Sequence, residues 1–96
     1  MSQLKIQHTS EGKKGAFFIE KDKIQVAEMI YRMDDSDLMV IEHTEVDKGL
    51  RGEGIGEKLL NELVEYSRSK NIKVKAECSY AEAMFKKNEE LRDVLR

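Results

Sequence analysis

Arg51 to Gly56 reads Arg-Gly-Glu-Gly-Ile-Gly, with three glycines at alternate positions behind a cation. Backbone stripped of side chains can turn its N–H groups onto one small target. An apolar pattern at helical spacing starts at once behind it, with Ile55, Leu59, Leu60, Leu63 and Val64. A helix N-terminus carries free N–H donors and a partial positive charge. Glycines leading into such a terminus suit an anion, most often a phosphate. Arg51 adds a full positive charge at the mouth. The spacing excludes two common phosphate loops. A P-loop needs Gly-Lys-Ser/Thr after four residues, but Lys58 is followed by Leu59. The dinucleotide fingerprint needs a third glycine three positions after the second, and that position is Glu57. The same letters would also serve a strand-to-helix turn that binds nothing.

Other reactive side chains lie before and after this loop. Cys78 is the only cysteine. It is either a small buried hydrophobe or a thiol placed to accept an acyl group. His43 has a natural pKa near neutrality and can act as a base or activate a thiol; its ordinary alternative is a hydrogen-bonded structural histidine. Strand alternation puts His43 and Glu45 on one face and Glu42 and Thr44 on the other, unless a bulge intervenes. A carboxylate from Glu42 or Glu45 can take an amine proton through water, or simply be solvated. Ser79 suits a helix cap, and Tyr80 can donate a proton or pack its ring on a helix. His8, His43 and Cys78 are too far apart in sequence for metal-ligand spacing, so no metal is expected.

These groups must be positioned by a small chain. Ninety-six residues make one domain, 1–96. Charged residues are 38% of the chain, hydrophobic ones 40%, and the net charge of −2 comes from interspersed acids and bases. No clustered basic face exists for a nucleic acid. No apolar run approaches the roughly 20 residues that span a bilayer, and Met-Ser-Gln-Leu-Lys has no signal-peptide core. One cysteine excludes an internal disulfide and suits a reducing cytoplasm, the expected location. A monomer or weak homodimer is expected.

Leu4, Ile6 and His8 alternate with polar residues, which predicts a strand at or near a sheet edge. Glu11 to Gly15 reads as a turn, Ala16 to Ile19 as a short strand, and Lys21 to Lys23 as another turn. Ile24 to Met33 is apolar on both faces, as in a sheet interior. Asp34 to Asp37 is a polar turn. Leu38 to Val46 is a fourth strand, apolar in its first half and polar in its second. The helix runs from about Gly54 to Lys70, with Asn71 as its stop. Ile72, Val74, Ala76 and Cys78 alternate as a fifth strand, parallel to the fourth because a helix crosses between them. Ala81 to Asn88 and Glu89 to Leu95 are helical. The fold class is α/β of the α+β kind: strands one to four antiparallel, a helical crossover to a parallel fifth strand, and a C-terminal helix.

In this order, Arg51-x-x-Gly54-x-Gly56 between strand and helix resembles the pyrophosphate motif of the GNAT acetyltransferases, which grips coenzyme A. His43-Thr44-x-Val46, the Arg51 loop and Cys78-Ser79-Tyr80 look like a very small branch of GNAT-like proteins, and the resemblance covers most of the chain. It implies acetyl-CoA as cofactor and a wedge between the splayed fourth and fifth strands for the pantetheine arm. Backbone N–H groups of the fourth strand, at Thr44, Glu45 and Val46, would bind that arm. One would stabilise the oxyanion of acyl transfer. Arg51, Gly52, Gly54, Ile55, Gly56 and Glu57 would hold the pyrophosphate, with Tyr80 beside the cofactor. Cys78 and His43 are the implied catalytic candidates.

Two departures stand out. Phe85 occupies the place of a tyrosine that larger relatives carry, and the last β-hairpin of those relatives has no counterpart before Arg96. The resemblance implies an N-acetyltransferase acting on a small or protein amine, by way of Cys78 or directly. The alternative is a non-catalytic module that senses or delivers acetyl-CoA to a partner. A generic nucleotide-binding domain would need only the loop, and would bind ATP as well as coenzyme A.

Overall fold

A computed structural model describes residues 5–50 and 52–96. Four strands meander, β1 (Ile6–Glu11), β2 (Lys14–Lys21), β3 (Ile24–Asp35) and β4 (Leu38–Val46). Helix α1 (Ile55–Lys70) crosses to β5 (Lys73–Ala76), and α2 (Ser79–Lys87) and a 3₁₀ turn over Glu89–Val94 follow. The sheet order is β1-β2-β3-β4-β5, antiparallel through β4 and parallel between β4 and β5. This is the mixed α+β sheet expected from the sequence, with β1 at the edge and β3 in the middle.

The hairpins are tighter than the polar clusters suggested. Glu11 pairs with Lys14, Lys21 with Ile24 and Asp35 with Leu38, so two residues make each turn. Asp22 and Lys23 both have positive φ, 54° and 68°, the conformation that matches the twist of paired strands. Pairing therefore extends β2 and β3 into residues that look like turn by composition. Gly15 belongs to β2 for this reason. A Cβ there would fall 2.3 Å from the ring of Tyr31, its cross-strand partner.

One face of the sheet carries Phe17, Ile19, Ala27, Met29, Tyr31, Met39 and Ile41, all buried. It packs against Ile55, Leu59, Leu60, Leu63 and Val64 of α1 in one cluster, the helix face that the spacing predicted. Asn71 ends the helix in the left-handed conformation, φ 57°, and its N–H donates to the carbonyls of Arg68 and Ser67. β5 stops at Ala76, two residues short of the expected end at Cys78. The last segment is a 3₁₀ turn, tied to α1 by Arg68, whose guanidinium donates to both carboxylate oxygens of Asp93 at 3.0 and 2.6 Å.

His8 stacks on Phe17 with ring centres 4.1 Å apart and shares a 2.6 Å hydrogen bond with Tyr31. Burial among these rings lowers the His8 pKa below its ordinary 6.5. A lowered imidazole pKa means that the folded state prefers the neutral ring. Its stabilisation is complete above 6.5 and is lost as pH falls through the folded value. Urea melts from neutral pH downward should show wild type losing stability faster than His8→Phe. Equal losses would show that His8 does not contribute.

Candidate functional site

The site is built where β4 outruns β5. Their parallel ladder covers only Leu38–Ile41 and Lys73–Ala76. The Glu77 N–H then donates to the Ile41 carbonyl at 3.0 Å, and the chain turns away into α2. β4 continues to Val46. A wedge opens between them, as the resemblance implied.

A β-bulge decides which way the half of β4 beyond the β5 ladder faces. Tyr31 pairs with Ile41 and Ile30 with His43, so Glu42 is an extra residue. Beyond it, Thr44 and Val46 lie opposite Met29 and Ala27, on the α1 face of the sheet. His43 and Glu45 lie on the other face. Glu42 bonds Lys14 and Arg32, whose register places them on the face of His43. Glu42 is thus not on the face of Thr44, where plain alternation put it. The Asp47 N–H bonds the Val26 carbonyl at 2.8 Å. By the alternation of an antiparallel ladder, His43 and Glu45 then bond β3 through their backbone, while the N–H groups of Thr44 and Val46 point into the wedge.

The glycine loop closes the wedge. A cleft of about 530 Å³ is lined by His43 to Val46, Leu50, Gly52, Gly54, Ile55, Gly56 and Tyr80. Gly52 and Gly54 have φ of 89° and 71°, and a Cβ at either would meet open space. They therefore serve backbone conformation, which bulkier residues resist. Gly54 caps α1 without a side-chain hydrogen bond, leaving the first-turn donors to the cleft. Gly56 has another role. A Cβ there would fall 2.1 Å from the Tyr80 hydroxyl oxygen, so Gly56 makes room for the phenol. Partial burial, then the nearby Glu57 carboxylate, raise the Tyr80 pKa, so the phenol stays protonated at the cleft wall. Arg51 lies outside the described residues.

Cys78 occupies the cap position of α2 in extended conformation, φ −92° and ψ 131°. Ser79 is the first helical residue rather than the cap. The Cys78 thiol donates to Thr44 Oγ1 at 3.4 Å. The pairing of Cys78 with His43 expected from the sequence is not formed, because the bulge turns His43 to the opposite face. There the ligand-capable atoms of His43, Glu45 and Glu28 lie within 4.8 Å of one another. His43 Nε2 is 3.7 Å from Glu45 Oε1. Proton acceptors thus gather on the far side of β4 from the thiol. Phe85 is buried in the core and takes no part in the cleft. Among the described residues, no helix is long and apolar enough to cross a membrane.

Comparison with known proteins agrees with this geometry. A family model described as GCN5-related N-acetyl-transferase matches residues 16–94. The solution structure of a GCN5-like protein from Staphylococcus aureus is 37% identical, with a TM-score of 0.77 over 100% of this chain and 91% of that one. A ribosomal-protein-alanine N-acetyltransferase from Brucella melitensis is 16% identical, with a TM-score of 0.67 over 80% of this chain and 62% of that one. A GNAT acetyltransferase from Elizabethkingia anophelis, with acetyl-CoA bound, is 16% identical, with a TM-score of 0.56 over 65% and 41%. The last two share the fold, and the chain spans under two thirds of their length. No curated protein matches. The family model covers most of the chain and the Staphylococcus aureus relative covers all of it, and the chain therefore belongs to the GCN5-related N-acetyltransferase (GNAT) family.

Proposed function

We propose that this chain binds acetyl-CoA in the wedge and moves its acetyl group to an amine. The observation that carries this reading is the convergence of two distant segments on one cleft. The Thr44 backbone comes from one side, and the start of α1 behind Gly52 and Gly54, which has no side-chain cap, from the other. The first suits an amide-bearing arm and a thioester carbonyl, the second a pyrophosphate.

Bound acetyl-CoA supplies an activated acetyl thioester. The residues divide the remaining work. An N–H of β4 donates to the carbonyl oxygen as negative charge develops there. Glu45, with His43 beside it, accepts one proton from the incoming ammonium. The amine nitrogen bonds the carbonyl carbon, the carbon–sulfur bond breaks, and a second amine proton passes to the departing sulfur. The Tyr80 phenol on the cleft wall can relay it. Because His43 faces away from Cys78 and the thiol's partner is a hydroxyl, this arrangement favours direct transfer over an S-acetyl-Cys78 intermediate. The acceptor is a small or protein amine in the cytoplasm, and the chain acts as a monomer or weak homodimer without nucleic acid.

Calorimetry should show acetyl-CoA binding to wild type and much weaker ATP binding. Equal binding of both would reject the family's cofactor for this chain. Intact mass after incubation with acetyl-CoA should show no added acetyl group on Cys78, and Cys78→Ala should retain transfer to an amine acceptor. An adduct that disappears in Cys78→Ala would restore the two-step route.

A further inference from the structure

We propose that Arg32 is a positioning residue that sets the fork between β4 and β5, and through it the alignment of the acyl-binding groups. This rests on the acetyl-CoA reading above. Arg32 stands on β3, opposite Val40, one strand removed from β5. Its side chain reaches across β4 to the point where the ladder ends. Nη1 donates to Glu42 at 2.9 Å and to Glu77 at 3.0 Å, and Nη2 donates to the second oxygen of Glu77 at 3.1 Å. Glu42 is the bulge residue of β4, and Glu77 is the residue at which the chain leaves β5. One rigid planar group thus holds both prongs at their root.

The rest of the guanidinium is held too. Nε and Nη2 donate to the two oxygens of Asp34 at 2.6 and 3.3 Å, so every N–H of the group has an acceptor. Asp34 sits near the hairpin end of β3; among the described residues its carboxylate hydrogen-bonds only Arg32, although the charge of Lys75 on β5 also acts on it. Lys14 takes the other oxygen of Glu42 at 2.7 Å. Glu77 is followed directly by Cys78, whose thiol meets Thr44 on the opposite face. The fork is therefore tied from both faces, by Arg32 on one and by the Cys78–Thr44 contact on the other. Releasing Glu77 would let Cys78 and the start of α2 shift against β4. The Thr44 N–H and the Tyr80 phenol over Gly56 would then lose their mutual alignment.

The three carboxylates on one guanidinium provide the test, since only two of them hold the fork. Glu77→Ala and Arg32→Gln should each weaken acetyl-CoA binding on the order of tenfold by calorimetry, and the double variant should be no weaker than either. Asp34→Ala, which also removes carboxylate bonds to Arg32, should stay within about twofold of wild type. Arg32→Lys should not restore affinity, because a lysine lacks the planar fork. The clamp is overturned if Asp34→Ala weakens binding as much as Glu77→Ala, if Arg32→Lys binds like wild type, or if Glu77→Ala lowers only the melting temperature. Should wild type fail to bind acetyl-CoA, the cofactor reading falls separately. The free protein then decides the clamp. Amide shifts of Thr44 and Cys78 should move in Glu77→Ala and stay in Asp34→Ala, and the reverse pattern would refute it.

Discussion

Gly54→Val should eliminate measurable acetyl-CoA binding. Gly54 has φ 71°, a left-handed conformation that costs an L-residue about 1–2 kcal/mol and a β-branched one more. Valine will therefore pull the loop toward negative φ and turn the first donors of α1 away from the cleft. The space beside Gly54 is open, so the loss comes from backbone conformation and from a side chain intruding where the ligand must approach. A loss of about 3 kcal/mol or more takes binding down by over roughly 100-fold. The domain should stay folded, because the buried face of α1 begins only at Ile55. Calorimetry paired with circular dichroism separates the two effects. A folded Gly54→Val that binds as tightly as wild type would remove the glycine loop from the site.

Leu63→Ala should produce a large loss of stability. Leu63 is fully buried in the cluster between α1 and the sheet. Removing such a side chain costs about 2–5 kcal/mol, through lost burial and the cavity left behind. A small protein has only about 5–15 kcal/mol in total. Glu62, the preceding residue, is exposed, and Glu62→Ala should stay within about 0.5 kcal/mol. A urea melt should show a much lower midpoint for Leu63→Ala at an unchanged slope. Equal midpoints for the two variants would mean that the helix packs on another face.

The order of elements, the helix face that packs and the glycine loop before it were all legible in the sequence. Each rests on local periodicity, and local periodicity is written in neighbouring residues. Asn71 as a stop and Gly52 and Gly54 as backbone positions belong to the same class, since left-handed φ values favour such residues wherever they sit. The resemblance carried by the loop also led to the wedge, because that motif has a fixed place between strand and helix. Strand ends were less legible. Asp34, Asp35 and Gly15 look like turn by composition, but cross-strand bonding draws them into β3 and β2.

Only the tertiary structure decided who faces whom at the site. The extra residue at Glu42 exists because β4 must keep register with β3 on both sides of it, and nothing in the nine letters of β4 marks that position. It reverses the expected company of Glu42, separates His43 from Cys78, and delivers Thr44 to the thiol instead. Gly56 reads as a phosphate glycine until Tyr80, 24 residues later by number, is seen to fill the place of its Cβ. Arg32 draws no attention in the sequence, and only the fold brings it to Glu42 and Glu77. A one-residue change in strand pairing exchanges the two faces of a sheet. Pairing is settled between segments distant in the chain, so the reacting face was fixed by packing and not by local pattern.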